Sequence, residues 1–267
     1  MGRCQTHPFN SPSCETEHMG EVSDPEELDK AWRQQYENLA REFAKLIGKR
    51  RTIVEIGCGR GQLTIPLANL VRGRLLTVDS FAWPYNTAYR SILNIVSKEK
   101  LIGRVSVLKE DYRNFLSRQD DARYEAVISS EFLPEIDSAR TCEFLSECHR
   151  ILKRGGVSVH SFLSPVPKNL RQRLLIEADT NPKWTKTPPD EWFSPSWNVM
   201  NKELRRVGFK GTKVIRVKSD LIVRGDAAKK LLREWDVRET FWKTHKTFLV
   251  SQGLEIPDWI ICVGRKT

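Results

Sequence analysis

The stretch Val54-Glu55-Ile56-Gly57-Cys58-Gly59-Arg60-Gly61-Gln62 constrains this chain more than any other. A β-rich run enters three glycines at alternate positions, and a helical pattern follows. Alternate glycines let the backbone take positive φ and leave no Cβ in the way of a ligand. The helix behind such a turn offers N–H groups with no partner inside the helix. Asp79 closes the next β-rich run, 18 residues beyond Gly61, with Ser80 beside it. A carboxylate at that place is suited to accept hydrogen bonds from both hydroxyls of a ribose.

From Thr52 onward, short β-rich runs alternate with helical segments. Strands are expected at Thr52–Ile56, Arg74–Val78, Val105–Leu108, Ala126–Ser129, Val157–Phe162, Lys213–Val217 and Trp259–Val263. Helices are expected at Gln62–Val71, Asn86–Lys98, Ser138–Leu152 and Asn201–Val207. This rhythm predicts an α/β fold with a doubly wound, mostly parallel seven-stranded sheet, carrying helical and loop insertions.

Ahead of the sheet, Asp24-Pro25-Glu26-Glu27 reads as a helix start, with Asp24 as cap and Pro25 in the first turn. Leu28, Trp32, Tyr36, Leu39, Phe43 and Leu46 follow as one apolar stripe up to Gly48. Residues 1–23 read as a poorly ordered tail, and 24–267 as a single domain. Within that tail Cys4, His7, Cys14 and His18 form a candidate four-ligand zinc set, against a plain tail. Two segments interrupt the alternation. Residues 164–198 hold six prolines and three tryptophans, placed to cover a pocket as a lid or to pack as a stiff surface loop. Residues 225–250 form a helical insertion that mixes Lys and Arg with aromatic rings.

Glu55-x-Gly57-x-Gly59-x-Gly61 together with Asp79 resembles the first motifs of class I S-adenosylmethionine-dependent methyltransferases, a Rossmann-like family. The likeness runs from about Thr52 to Phe209, plus the last strand. It implies S-adenosylmethionine as cofactor, with Glu55, Gly57, Cys58, Gly59, Gly61 and Gln62 at the cofactor turn. Asp79 and Ser80 would stand at the ribose, and Asp111 and Tyr112 after the third strand near the adenine. Ser129 and Ser130 end the fourth strand, where the family builds the floor of the pocket.

Methyl transfer needs an aligned acceptor and, where the acceptor carries a proton, a group to remove it. Glu131 is the candidate base, with a helix-start acid as its alternative; Glu135 reads more readily as a surface acid. His160 in the fifth strand is a second catalytic candidate, with a hydrogen-bonded structural histidine as its alternative. The sequence lacks the Asn/Asp-Pro-Pro-Tyr pattern of base-amino methylation, so a small-molecule acceptor is the preferred expectation. A net charge of +10 keeps an RNA acceptor as the alternative, and a protein acceptor or a non-catalytic cofactor-binding protein stands behind it. No run is long and apolar enough for a membrane span. Six scattered cysteines, without an apolar leader, point to the cytoplasm.

Overall fold

In the computed structural model the described residues are 20–82, 85–186 and 196–267. The candidate zinc residues Cys4, His7, Cys14 and His18, and residues 187–195 of the expected lid, lie outside them.

A short strand, β1 (Glu21–Val22), precedes the long helix α1 (Pro25–Ile47). The Asp24 side chain accepts from the Glu26 N–H at 2.6 Å, Pro25 occupies the first turn, and Gly48 ends the helix at φ 63°. Five parallel strands follow: β2 (Thr52–Ile56), β3 (Arg74–Asp79), β4 (Val105–Lys109), β5 (Tyr124–Ser130) and β6 (Leu152–Leu163). They alternate with α2 (Thr64–Leu70), α3 (Ala88–Lys98), α4 (Tyr112–Ser117) and α5 (Ser138–Ile151). Beyond β6 come α6 (Leu170–Thr180), α7 (Trp197–Arg206), β7 (Lys210–Val217), β8 (Ile222–Val223), α8 (Gly225–Glu234), α9 (Glu239–Ser251), β9 (Leu254–Glu255) and β10 (Trp259–Arg265).

The large sheet has seven strands in the order β4-β3-β2-β5-β6-β10-β7, and β10 alone runs antiparallel to its neighbours. Chain order reverses between β2 and β5, which opens a crevice at the carboxyl ends of those strands. Both faces are covered, as a parallel sheet requires. Period-two alternation sends Ile53 to one face, with α1, α2 and α3, and Val54 and Ile56 to the other, with α4, α5 and α7.

A third core lies apart from both faces. Leu174, Leu175, Leu231, Phe241 and Leu249 pack there with Val22 and Leu28. Strands β1, β8 and β9 form a small sheet over it. The connections explain its position. The chain leaves β6 and β7 at their carboxyl ends, and antiparallel β10 starts at that same edge, so α6, β8 and β9 all emerge on the side of the crevice. Trp32 and Leu163 pack against both this cap and the main core.

Several expectations change. Residues 20–22 are not tail, because Val22 pairs with Val223 and enters the cap core. Residues 170–180 are helix rather than stiff loop: the Asn169 side chain accepts from Gln172 N–H at 3.0 Å and starts α6. Trp184 does not cover a pocket, since its ring packs at 5.4 Å from Phe241 inside the cap. The strand at 157–162 extends back to Leu152, and the expected 201–207 helix begins at Trp197.

Phe241 is fully buried in the cap core, so Phe241→Ala is expected to destabilise it by about 3–5 kcal/mol. Hydrogen exchange should show the amides of α8 and α9 losing protection while those of β2, β3 and β5 keep theirs.

Candidate active site

The glycine turn is held by its own backbone and by one carboxylate. Gly57, Gly59 and Gly61 have φ of 77°, 47° and 79°, which glycine alone adopts without strain. The Gly57 N–H donates to Val78 O, and the Gly61 N–H to Cys58 O, both at 2.8 Å. A Cβ on Gly57 would stand 2.6 Å from the Phe132 ring. Asp79 Oδ2 accepts from Gly59 N–H at 2.8 Å, and Oδ1 from Phe81 N–H at 2.6 Å. The sequence-predicted partners, turn and acid, are therefore directly bonded.

Glu55 points into the same region from within β2. It is buried, Oε2 accepts from the Thr64 hydroxyl at 2.7 Å, and burial pushes its carboxyl up to about 7. Thr64 opposes that shift by hydrogen bonding the ionised form. Burial also pushes the Cys58 thiol up, which leaves Cys58 a small packing residue and a poor nucleophile.

Across the crevice stands the end of β5. Glu131 holds a left-handed backbone at φ 54°, unusual for a side chain of its size. Its N–H donates to Ser161 O at 2.9 Å, and its Oε1 accepts from Leu163 N–H at 2.7 Å. Both bonds tie it to β6, which fixes the carboxyl at the crevice mouth. Desolvation pushes it from 4.5 to about 8, partly opposed by the Leu163 N–H and reinforced by Asp179 and Glu135. A cleft joins these halves, lined by Gly57 and Asp79 on one side and by Ser130, Glu131 and Phe132 on the other. Tyr36, Tyr85 and Glu135 complete it. Glu135 is exposed, as expected of a surface acid, although desolvation and Asp79 push its carboxyl up while the Tyr85 hydroxyl opposes.

The structure brings together Glu55, Gly57, Cys58, Gly59, Gln62, Asp79, Ser130 and Glu131. Gly61 shapes the turn from underneath. His160 is not at the cleft: it is fully buried, with Nδ1 2.8 Å from the Ser129 hydroxyl and Nε2 2.6 Å from that of Ser158. Burial lowers it to about 3, so it stays neutral and its role is to tie β5 to β6. Ser129 is buried with it and does not line the cleft. Asp111 caps α4 by accepting from Arg113 N–H at 2.9 Å, and Tyr112 packs edge-on to Phe132 at 5.0 Å. Ser80 is exposed at the rim, its hydroxyl 3.3 Å from Ala82 N–H. Tyr36 carried one available signal, a phenol amid an apolar stripe; Tyr85 carried none.

The residues present fit the cofactor that the motifs imply. The Asp79 carboxylate stands beside the turn in the cleft with unused lone pairs, which suits a ribose-bearing ligand without a pyrophosphate. Among the described residues, no group of three or more His, Cys, Asp or Glu is arranged to hold a metal ion.

Comparisons with known proteins agree with this geometry. Residues 53–156 match the family described as a methyltransferase domain. A ubiquinone biosynthesis O-methyltransferase of Cereibacter sphaeroides is 27% identical over 164 residues, 58% of this chain and 60% of that protein. Other curated relatives are covered over 52% of their length, so the chain spans little more than half of the proteins it matches. Among solved structures, a SAM dependent methyltransferase from Archaeoglobus fulgidus superposes with a TM-score of 0.57 at 18% identity, covering 88% of this chain and 94% of that one. A Thermotoga maritima protein described as a possible histamine N-methyltransferase gives 0.55 at 17% identity, over 91% and 94%. These likenesses establish the fold. The fold is that of Rossmann-like methyltransferases, and the family match to a methyltransferase domain falls on residues 53–156, the half that carries the turn and Asp79.

The raised Glu131 carboxyl has a consequence for stability. Its proton is held more tightly in the folded chain than in the unfolded one, so its contribution is full below about 4.5 and is lost as pH rises through about 8. Glu131→Gln is therefore expected to melt above the parent protein at about pH 8.5 and no higher than it at about pH 4.5, as read by calorimetric melting.

Proposed function

We propose that this protein is an S-adenosylmethionine-dependent methyltransferase acting on a small-molecule acceptor. The observation that carries this reading is the Gly57–Gly61 turn bonded to Asp79 and facing Glu131 across one cleft. In it, Gly57, Gly59 and Gly61 admit the cofactor, Asp79 holds its ribose hydroxyls, and Glu55 faces its amino-acid end. Bound there, the cofactor supplies an electrophilic methyl on a sulfonium.

The chain's own residues do the rest. Tyr36, Tyr85 and Phe132 exclude water and orient the acceptor. Glu131, fixed by Leu163 N–H through one carboxylate oxygen, turns the other toward the acceptor and takes its proton. A base titrating near neutrality is well matched to that task.

The curated relatives are named for an O-methylation in quinone biosynthesis, which favours a small acceptor. The cleft favours it too: among the described residues that line it none is Lys, Arg or His, although the chain carries a net charge of +10. A polyanion such as RNA would meet carboxylates there. Among the described residues no helix is long and apolar enough to cross a membrane. The free thiols of Cys58, Cys142, Cys148 and Cys262 support our placing the protein in the reducing cytoplasm.

Titration calorimetry with S-adenosylmethionine tests the reading. Saturable binding is expected, weakened at least about tenfold by Asp79→Ala, equal to ~1.4 kcal/mol. Absence of binding, or undiminished binding by the variant, overturns it. With an acceptor in hand, Glu131→Gln is expected to lower kcat by about a hundredfold or more.

A further inference from the structure

We propose that the edge of the large sheet opposite the cleft is a docking surface for double-helical RNA, gripped by its phosphate backbone. The docked RNA is an anchor rather than the methyl acceptor, because the cleft opens at the other edge.

At the amino ends of the parallel strands, every strand of the large sheet carries a cation. Arg74 opens β3, and its N–H donates at 2.8 Å to the carbonyl of Arg51, which precedes β2. Arg104 precedes β4, and its carbonyl accepts from Leu75 N–H at 2.8 Å. Arg123 precedes β5, and Arg154 lies near the start of β6. Antiparallel β10 brings its last residue, Arg265, to the same edge, in register with Lys210 at the start of β7. All of these side chains are exposed. Neighbouring strands stand about 4.8 Å apart, so the row runs for about 29 Å, and the length of β2 sets it about 20 Å from the Gly57 turn.

Local needs account for only part of this charge. Arg50 donates to Ile47 O at the end of α1, Arg104 to Ala68 O and Val71 O at the end of α2, and Lys266 to Arg150 O in α5. Those bonds complement helix C-termini. Nearby acids take a further share: Asp120 pairs with Arg123 at 3.6 Å, and Glu125 with Lys153 at 3.8 Å. Arg51, Arg74, Arg154, Lys210 and Arg265 serve neither purpose. Among the described residues, their side chains make no ion pair and no hydrogen bond. Exposed like charges in one row repel one another, and a polyanion relieves that repulsion.

The form of the row selects the polyanion. Arginine dominates it, and its planar fork matches phosphate. No ring stands beside it for bases to stack on, since among the described residues the strongly exposed aromatic is Trp197, at the far end of α7. That disfavours a single strand. Strand ends and short turns build this edge, with no projecting helix to enter the deep major groove of DNA. The shallow minor groove of an RNA duplex, flanked by phosphates, meets such an edge without insertion. A membrane calls for apolar anchors along a plane. Here the strongly exposed apolar side chains of this edge, Leu70 and Ile102, gather at the β4 end alone.

The test follows, by fluorescence anisotropy, the full chain binding an RNA duplex of about 20 base pairs, longer than the row. A DNA duplex of the same sequence and phosphatidylserine vesicles are measured beside it. RNA is expected to bind most tightly, its log affinity falling against log salt with a slope of about −4, as the five unpaired cations require. Arg74→Gln, Arg154→Gln and Lys210→Gln together are expected to weaken binding at least about tenfold, each alone flattening the slope by about 1. A control of equal charge, Lys30→Gln, Arg33→Gln and Lys246→Gln on α1 and α9, is expected to change affinity by less than about twofold. All these sites are exposed, so the variants are expected to melt with the parent protein. Absence of RNA binding overturns the proposal, as does equal or tighter binding of the DNA or the vesicles. An equal loss in the control variant also overturns it. So does transfer of labelled methyl from S-adenosylmethionine into the bound RNA, which would make the RNA an acceptor.

Discussion

The Asp79 carboxylate joins the turn after β2 to the end of β3, and the geometry of the cofactor half follows from that bond. One oxygen takes the Gly59 N–H and the other the Phe81 N–H, so both chain segments are fixed relative to a single side chain. Two such bonds use about half of a carboxylate's accepting capacity. The remainder faces the cleft, already oriented, which lowers the entropic cost of capturing a ligand hydroxyl. The glycines matter for the same reason. With Phe132 packed where a Gly57 side chain would stand, the turn also positions the first residue of the acceptor wall.

The acceptor half is assembled differently, from elements remote in sequence. Tyr36 comes from α1, Tyr85 from the connection between β3 and α3, and Glu131 from the residue after β5, and all three line one cleft. Glu131 shows how tightly this is specified. A left-handed backbone at a non-glycine residue costs of order 1–3 kcal/mol. Here it is held by one main-chain and one side-chain bond to β6.

The legibility of the sequence divides along the same line. The parallel strands, the α1 cap and the turn with Asp79 were readable because local rules govern them: apolar periodicity, capping chemistry and glycine spacing. Reading 170–180 as loop failed because flanking prolines masked Leu174, Leu175 and Ala178, which share one helical face. His160 shows the limit for site residues. A histidine in a strand beside the pocket looks catalytic in one dimension, but its rotamer between Ser129 and Ser158 depends on strand pairing that no local pattern encodes. Tyr36 and Tyr85 become neighbours of the site only through tertiary packing. A phenol in an apolar stripe was the one trace that any of them left.

The wiring of the cap bears on the order in which the molecule can be built. Strands β2 to β6 and the helices that connect them lie in one contiguous stretch, 52–163, with α1 and α7 completing the cover of its two faces. The cap draws on residues near 22, 174, 231 and 254, and β10 must insert between β6 and β7 before its edge is closed. During synthesis the cofactor turn and Asp79 are therefore available well before the last hundred residues emerge. The cap, in which α6 packs on β9, waits for residues up to about 254. A chain interrupted between the two would already carry the Gly57–Gly61 turn and Asp79, while the apolar residues of the cap still lay open to solvent.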